Sequence, residues 1–321
     1  MLNAFKVSKG PGEVGSSVRN DSGLGELAAL VGTWEGEGFN LISRPVPQTA
    51  GQPPAADGRS TFFLDLRATR ETITFSEIGG DIANRGFVEP TIGLHGLSYL
   101  QQVVDANTGD AIHLEPGLFL SIPASTQGGT ATIARLATIP HGNSLMAQGT
   151  VSEEARAPGI DPANALPVQI GLFPEQRFAE NSPYLSQFEA AELPTGIACP
   201  PNCHAIDVIK NPNLLLSEQL RQLQERGCSI PKTVNLPFDT LHGGGLVNIP
   251  FVVANANAIS MSSIFWIETV VDADGETISP LLQYTQTVIL DFNGVSWPHI
   301  SVATLRKVQD SQAGIQILRP D

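Results

Sequence analysis

The chain has little positive charge, no long apolar run and few cysteines. Its 321 residues contain 18 Lys and Arg against 32 Asp and Glu, which gives a formal net charge of −14. Nucleic acids and anionic membrane surfaces are bound mainly through Lys and Arg, so neither partner is expected. No uninterrupted apolar window of about 18 residues occurs, so a membrane-spanning helix is not expected either.

Sorting and catalytic signatures are also missing from the sequence. The opening residues, Met1–Gly10, lack the apolar run of a secretory signal, which predicts a cytoplasmic location. The chain contains neither a Gly-x-Ser-x-Gly nucleophile elbow nor a His-Glu-x-x-His helix. Hydrophobic residues make up 41% of the chain, as in an ordinary globular domain with a sizeable core.

What the chain has instead is a series of short strand patterns separated by turn signals. Polar and apolar residues alternate at a period of two, as in Thr72–Phe75, which suits a sheet that is wet on one side. Turns such as Asn107–Asp110 separate the patterns. Many short strands with hairpin spacing favour an all-β protein, an antiparallel up-and-down β-barrel. After a first strand at 32–38, strands are predicted at 61–66, 71–78, 96–104, 112–122, 130–138, 144–151, 262–271, 283–292 and 300–308.

The first and last of these strands predict a cavity inside the barrel. Gly36 and Gly38 share the face of Trp34, and glycines remove side chains that would fill the interior. On the last strand, His299 shares a face with Ser301 and other small neighbours that leave room beside it. We therefore expect His299 to reach into a cavity.

Three segments resemble the calycin barrels and, within that group, the nitrobindin-type haem-binding barrels. They are Leu30–Gly38 with its Gly-Thr-Trp, Tyr99–Pro123, and Pro298–Val308. In that family the final strand carries the histidine that ligates haem iron, so the resemblance implies haem b bound through His299. It also implies that an Arg of the last strand lies over the indole of Trp34 and closes one barrel end.

The resemblance implies that the protein handles small ligands such as nitric oxide, peroxynitrite or peroxide. Gly36 and Gly38 are then expected at the haem cavity. His141, on a turn at the barrel rim, is expected to reach over the pocket as a distal group or a propionate contact. Activity like that of a peroxidase or a peroxynitrite isomerase stays open. The alternative is a lipocalin-like carrier of an apolar small molecule without haem, in which His299 only hydrogen-bonds the ligand.

Other histidines and arginines are candidates for the same pocket. His113 alternates with apolar neighbours, which favours a hydrogen-bonding role in the core. His95 is a second candidate for a distal group. Either distal candidate would need a nearby arginine, Arg135 or Arg85, to supply the acid–base partner for peroxide cleavage.

The chain is predicted to form one barrel domain at 24–310, between a flexible arm at 1–23 and a tail at 311–321. Residues 155–250 have no counterpart in the family pattern and are expected to be a loop and helix insertion. Its one clear helix is capped by Asn211, has Pro212 in its first turn and ends at Gly227. The apolar stripe of this helix is expected to pack on the barrel wall: Leu215, Leu216, Leu220 and Leu223.

Cysteine spacing offers competing sites. Cys199 and Cys203, followed by His204, resemble an expanded form of the c-type haem attachment motif, with His204 as axial ligand. A zinc site formed by these thiols, Cys228 and a histidine is also conceivable. The third possibility is a proline-rich loop with free thiols, since a disulfide is not expected in a reducing compartment. The oligomeric state is not predicted by the sequence.

Overall fold

The structure is a computed structural model that describes residues 23–47, 61–124, 129–170 and 177–308. The first regular element is a 3₁₀ helix, Gly25–Leu30. The α-helices are α1 (Ser186–Ala190), α2 (Ala205–Lys210), α3 (Asn213–Glu225) and α4 (Pro250–Asn255). The strands of the described residues are β1 (Gly32–Pro45), β2 (Phe62–Glu77), β3 (Ile82–Asn84), β4 (Ile92–Asp105), β5 (Ala111–Ile122), β6 (Thr132–Ile139), β7 (Asn143–Gly149), β8 (Ser152–Glu154), β9 (Val168–Gln169), β10 (Ser229–Asp239), β11 (Gly245–Asn248), β12 (Asn257–Val271), β13 (Leu281–Phe292) and β14 (Val295–Lys307).

Ten of these strands form a closed antiparallel barrel. Its order is β1–β2–β4–β5–β6–β7–β10–β12–β13–β14, and β14 pairs with β1. Closure between β7 and β10 occurs at Gln148 and Asp239, and β8 continues along the same side of β10. Because successive strands are neighbours in space, the topology is up-and-down apart from its insertions. The predicted all-β calycin-like barrel is confirmed.

A plug of apolar residues closes one end of the barrel. The 3₁₀ helix places Leu27 and Leu30 in contact with Trp34, and all three are fully buried. The indole Nε1 of Trp34 donates a hydrogen bond to the Leu30 carbonyl oxygen at 2.7 Å. This short helix has the tighter 3₁₀ form, which is common in short segments that lead into other elements.

The cation over this indole is a lysine and not the expected arginine, which corrects the prediction. Lys307 pairs with Trp34 in the register of β1 and β14, and its Nζ lies 5.4 Å from the centre of the indole ring. Arg306 pairs with Glu35 instead and is exposed on the outer face. The side-chain period of two explains the difference, because residues next to each other on a strand point to opposite faces.

The insertion packs on the outside of the barrel and forms a second core. In α3, Leu216 is buried against the outer face of β1 and β14, which confirms the predicted packing of this helix on the barrel wall. The expected Asn211 cap is not formed, because the Asn211 Oδ1 accepts from the Ala163 backbone N–H at 2.9 Å. Buried members of this core are Phe39, Leu41, Phe62, Ala165, Phe188, Ile209, Leu216, Trp266, Phe292, Val295, Trp297, Ile300 and Val302.

The insertion is shorter than the predicted 155–250, because Ser229–Asp239 forms the barrel strand β10. The predicted arm falls almost entirely outside the described residues, and the predicted tail lies wholly outside them. Within the described ranges, no helix is long and apolar enough to cross a membrane.

Candidate ligand cavity in the open half of the barrel

The inner face of the barrel changes character from one end to the other. Along β13, the inward residues Leu282 and Tyr284 are almost completely buried. Further along the same face, Gln286 and Val288 keep accessible surface, as do His299 and Ser301 on the neighbouring strand β14. The inside of the barrel end far from the 3₁₀ helix is therefore less completely filled. We call the two parts the plugged half and the open half.

His299 lies on the inner face of the open half, where the sequence predicted it. Asn40, on β1, is the residue that holds it. The Asn40 side-chain oxygen Oδ1 is 2.8 Å from His299 Nε2 and accepts from the Ser301 hydroxyl at 2.8 Å. An amide oxygen can only accept, so the neutral imidazole carries its proton on Nε2 and donates it to Asn40. The other nitrogen, Nδ1, keeps a lone pair and makes no hydrogen bond with the described residues.

His299 is held in its neutral form. Burial among the barrel walls lowers the pKa of His299 to about 3, and the nearby imidazoles of His113 and His141 add to this lowering. Both effects disfavour the imidazolium, because a second positive charge in this enclosed space would be poorly solvated. At neutral pH the ring therefore presents a lone pair rather than a charge.

His113 lies on β5 and is held by a buried ion pair. Its Nε2 is 3.1 Å from the Glu115 carboxylate oxygen Oε2. The other carboxylate oxygen accepts from Arg135 Nη2 at 2.6 Å and from the Tyr99 hydroxyl. Glu115 and Arg135 are almost completely buried. Burial alone would raise the pKa of Glu115, but Arg135 and the hydrogen bonds from His113 and Tyr99 outweigh it and hold the pKa at about 2.

All three guanidinium nitrogens of Arg135 donate hydrogen bonds to neighbouring side chains. Nε donates to the Tyr99 hydroxyl at 3.1 Å, and Nη1 donates to Ser263 at 3.2 Å and to Gln286 at 2.7 Å. Burial opposes the charge of Arg135, but the Glu115 carboxylate holds its pKa above the ordinary value. The predicted role of Arg135 beside a distal histidine is therefore indirect here. It fixes Glu115, and Glu115 in turn contacts His113.

A second polar cluster lies across the middle of the barrel. Glu71 Oε2 accepts from the Tyr284 hydroxyl at 2.6 Å and from Gln101 at 3.2 Å, while Thr69 donates to its other oxygen at 3.1 Å. Burial raises the pKa of Glu71, and these hydrogen bonds oppose the change in part. Together with the Glu115–Arg135 pair, this cluster forms a polar floor between the plugged half and the open half.

His141 is at the rim of the open half, on the turn between β6 and β7. Its ring centre is 5.8 Å from that of His113. Burial lowers the pKa of His141, as does nearby His113, while a hydrogen bond to the Ile112 backbone has the opposite effect. His95, by contrast, lies at the plugged end, 3.4 Å from Asp81 and against Gly23. The structure thus brings His141 and His113 to the end where His299 lies, and places His95 at the other end.

Gly36 and Gly38 do not border open space. A Cβ added at Gly36 would meet the Thr304 carbonyl oxygen, and one added at Gly38 would meet the Val302 carbonyl oxygen and the Thr69 hydroxyl. The two glycines let β14 approach β1 closely. This corrects the expectation that Gly36 and Gly38 border the haem cavity, because atoms of the neighbouring strands already occupy the space beside them.

The cysteine motif lies in the insertion, away from the barrel interior. Cys199 and Cys203 are free thiols, and the His204 backbone N–H donates to Asp207 at 2.8 Å at the start of α2. Within the described ranges, no group of three or more His, Cys, Asp or Glu is arranged to hold a metal ion. The proposed zinc cluster therefore has no support from the described residues, and covalent haem attachment stays a prediction.

Two surface concavities lie on the outer wall of the barrel. One, of about 560 Å³, includes Leu136 and Met146, and the other, of about 410 Å³, includes Asp239 and His242. The open-half histidines line neither of them. We place the candidate site inside the barrel, because the neutral imidazole and the buried charges converge there.

The sequence reasoning missed the partners of the histidines. Asn40 lies two residues beyond Gly38 and so shares its inward face, and Glu115 stands in the same relation to His113. The strand period of two could therefore have predicted that Asn40 and Glu115 both point into the barrel. The long-range pairing of Glu115 with Arg135 had no comparable signal in a single sequence.

Comparisons with known proteins assign neither a family nor an activity to the chain. No protein-family model matches the chain, and no curated protein matches it in sequence. Among solved structures, the crystal structure of Rv2717c from M. tuberculosis aligns with 89% of this chain and 97% of its own, at 13% sequence identity and a TM-score of 0.42. A likeness at this level carries no information about ligand or activity.

Proposed function

We propose that this protein binds haem b in the open half of its barrel, with His299 as the iron ligand. The observation that carries the proposal is the state of the His299 ring. It is neutral, Nε2 is anchored on Asn40, and Nδ1 keeps its lone pair. Metal-ligating histidines commonly donate their other ring N–H to an oxygen acceptor, which fixes both tautomer and orientation.

The surroundings of His299 fit a haem ligand. Haem needs one axial ligand from the protein, and imidazole is a common one. Val288 lies directly opposite His299 in the strand register, and Ser301 follows it on the same face, so apolar and polar surface both border the ring. When bound, haem would supply an iron that binds small ligands such as nitric oxide, peroxynitrite or peroxide. The residues of this chain would hold the ring and limit the access of water.

A second candidate function is that of a carrier for an apolar small molecule. Val288 keeps accessible surface on the inner face, next to the hydrogen-bonding groups of His299 and Ser301. A largely apolar pocket with a few polar groups is the usual description of a small-molecule site. In this case His299 would hydrogen-bond the ligand and no iron would be present.

A haem titration of the purified protein distinguishes the two candidates. The parent, His299→Ala and His95→Ala are titrated with haem and followed by visible absorption. We expect a Soret band in the parent and in the His95 control, because His95 lies at the plugged end. His299→Ala should lose the band, or show the spectrum of loosely associated haem.

The same three proteins are then tested with an apolar fluorescent probe such as N-phenyl-1-naphthylamine. A Soret band of equal strength in His299→Ala would overturn the assignment of the ligand. No band in the parent, with probe binding that persists in His299→Ala, would favour the carrier. Circular dichroism of each variant checks that the barrel is folded.

A further inference from the structure

The second histidine of the open half, His113, has an environment that a merely structural residue does not need. Its side chain is 20% exposed, while the carboxylate that holds it is completely buried. Desolvation of an ionised glutamate and its arginine partner costs free energy. An ion pair that served only the packing of the core could lie at any buried position. Here one of its carboxylate oxygens is used to fix the ring of a partly accessible imidazole.

His113 also lies across the barrel from His299. Passing around the barrel from β5 to β14 takes four strand-to-strand steps through β4, β2 and β1, and six steps through β6, β7, β10, β12 and β13. The two strands are therefore nearly opposite. Both histidines lie toward the open end, since β5 begins there at Ala111 and β14 begins there at Val295. A ligand bound at His299 would have His113 on its far side.

The orientation of the ring follows from its partner. Glu115 is ionised, so it accepts a hydrogen from Nε2 of His113. In the neutral ring Nδ1 then carries the lone pair, and the described residues make no hydrogen bond to it. An imidazole oriented in this way by a carboxylate can take up a proton on its free nitrogen, and the carboxylate stabilises the imidazolium that forms.

We propose that His113 is the acid–base residue facing the ligand that binds opposite His299, and that Glu115, fixed by Arg135, is its positioning residue. This inference rests on the proposed haem site. The titratable groups around His113 are Glu115 on its own strand, His141 on the β6–β7 turn, Glu71 on β2 and His299 on β14. His141 is the competing candidate for the same role.

Cyanide association with the haem-loaded protein tests the proposal without any assay of activity. Hydrogen cyanide binds ferric iron as the anion, so its C–H bond must break while the electron pair stays on carbon. The proton passes to Nδ1 of His113, which becomes an imidazolium paired with Glu115. General acid–base groups contribute roughly 10²–10⁴-fold to rates. We expect the association rate constant to fall about 100-fold in His113→Gln and in His113→Ala.

Two variants serve as comparisons, and both make the same replacement of histidine by glutamine. His95→Gln, at the plugged end, should leave the rate unchanged. His141→Gln should alter it by less than about threefold, because the His141 ring lacks a carboxylate partner among the described residues. A large fall in His141→Gln with none in His113→Gln would overturn the assignment in favour of His141.

A second measurement uses the protein without haem. Nitrogen-15 NMR of the neutral His113 ring should show the proton on Nε2 and none on Nδ1, as the contact with Glu115 requires. The opposite tautomer would contradict the proposed orientation. A normal Soret band in His113→Gln with unchanged cyanide kinetics would overturn the role of His113 and leave the haem site standing. No Soret band in the parent would overturn both.

Discussion

The plugged half and the open half of the barrel are built from the same ten strands but are filled differently. The plugged half is packed with aromatic and aliphatic side chains, such as Phe75, Phe119 and Phe265, whose rings contact one another. The open half contains the imidazoles of His113, His141 and His299 and the amides of Asn40 and Gln286, and several of its inner side chains keep accessible surface. Strand pairing is continuous through both halves, so the barrel does not depend on filling its whole interior.

Stability and ligand binding are therefore assigned to opposite ends of the barrel. Burial of large side chains in the plugged half contributes most of the interior apolar contact. The open half has fewer such apolar contacts, and polar groups line its less completely filled interior. Between them lies the polar floor of Glu115, Arg135 and Glu71, whose buried polar groups are tolerated only because each is hydrogen-bonded.

The largest expected effect comes from breaking the floor. Glu115→Ala would leave the Arg135 guanidinium buried without its carboxylate, and removing one partner of a buried pair costs about 3–5 kcal/mol. Urea unfolding measures the free energy of unfolding. The double variant Glu115→Leu with Arg135→Met removes both charges and should recover much of the loss. A cost below about 1 kcal/mol for Glu115→Ala would show that the pair is not essential to the boundary between the halves.

A matched pair on β13 compares the halves directly. Leu282→Ala opens a cavity in the plugged half and should lower the free energy of unfolding by about 2–5 kcal/mol. Val288→Ala, six residues along the same inner face, removes a partly exposed side chain and should cost no more than about 1 kcal/mol. Equal losses in the two variants would contradict the division of the barrel into a packed and an open half.

The next prediction concerns the stability of the open half as a function of pH. His299 has a folded-state pKa of about 3, below its unfolded value of about 6.5. Between these values the unfolded chain binds the proton and the native state does not. The contribution of His299 is therefore fully present above about pH 6.5 and is lost as the pH falls toward 3.

Acidification from pH 7 to pH 5 should then destabilise the parent more than His299→Gln, by about 1–2 kcal/mol. The measurement is the free energy of unfolding in urea at each pH. Taking the difference between the two proteins cancels the contribution of other carboxylates such as Glu71. His242→Gln, the same change at an exposed histidine outside the barrel interior, is the control for the substitution itself. Parallel curves for the parent and His299→Gln would show that His299 is not held neutral.

The sequence predicted the plugged half and the barrel better than the open half. Strands were recognised from alternation, and Trp34 and His299 were placed on inward faces by the same period of two. The strand β10 was missed within the predicted insertion although Thr233–Asp239 alternates, because Pro231 and Pro237 interrupt it and proline is uncommon inside a sheet. Periodicity describes one strand at a time, so it succeeded where the strand itself carries the signal.

The site depends on contacts that periodicity cannot reach. Glu115 meets Arg135 across the β5–β6 pair, and Asn40 meets His299 across a separation of 259 residues in the chain. These partners follow from register and barrel closure, which a single sequence does not specify. The same limit explains the assignment of an arginine to the indole of Trp34, since a register shift of one residue exchanges Arg306 and Lys307.

The smallest expected effect tests the closed end itself. Lys307→Ala removes the ammonium group that lies over the Trp34 indole and donates to the Ala29 carbonyl oxygen at 3.1 Å. A partly exposed cation–π contact contributes about 0.5–1 kcal/mol, so unfolding in urea should shift by that amount. Arg306→Ala, on the outer face next to it, is the matched control and should cost less. If the two variants lose the same stability, or Arg306→Ala loses more, the lysine does not close the plugged end, and the apolar contacts of Leu27, Leu30 and Trp34 hold it without a cation.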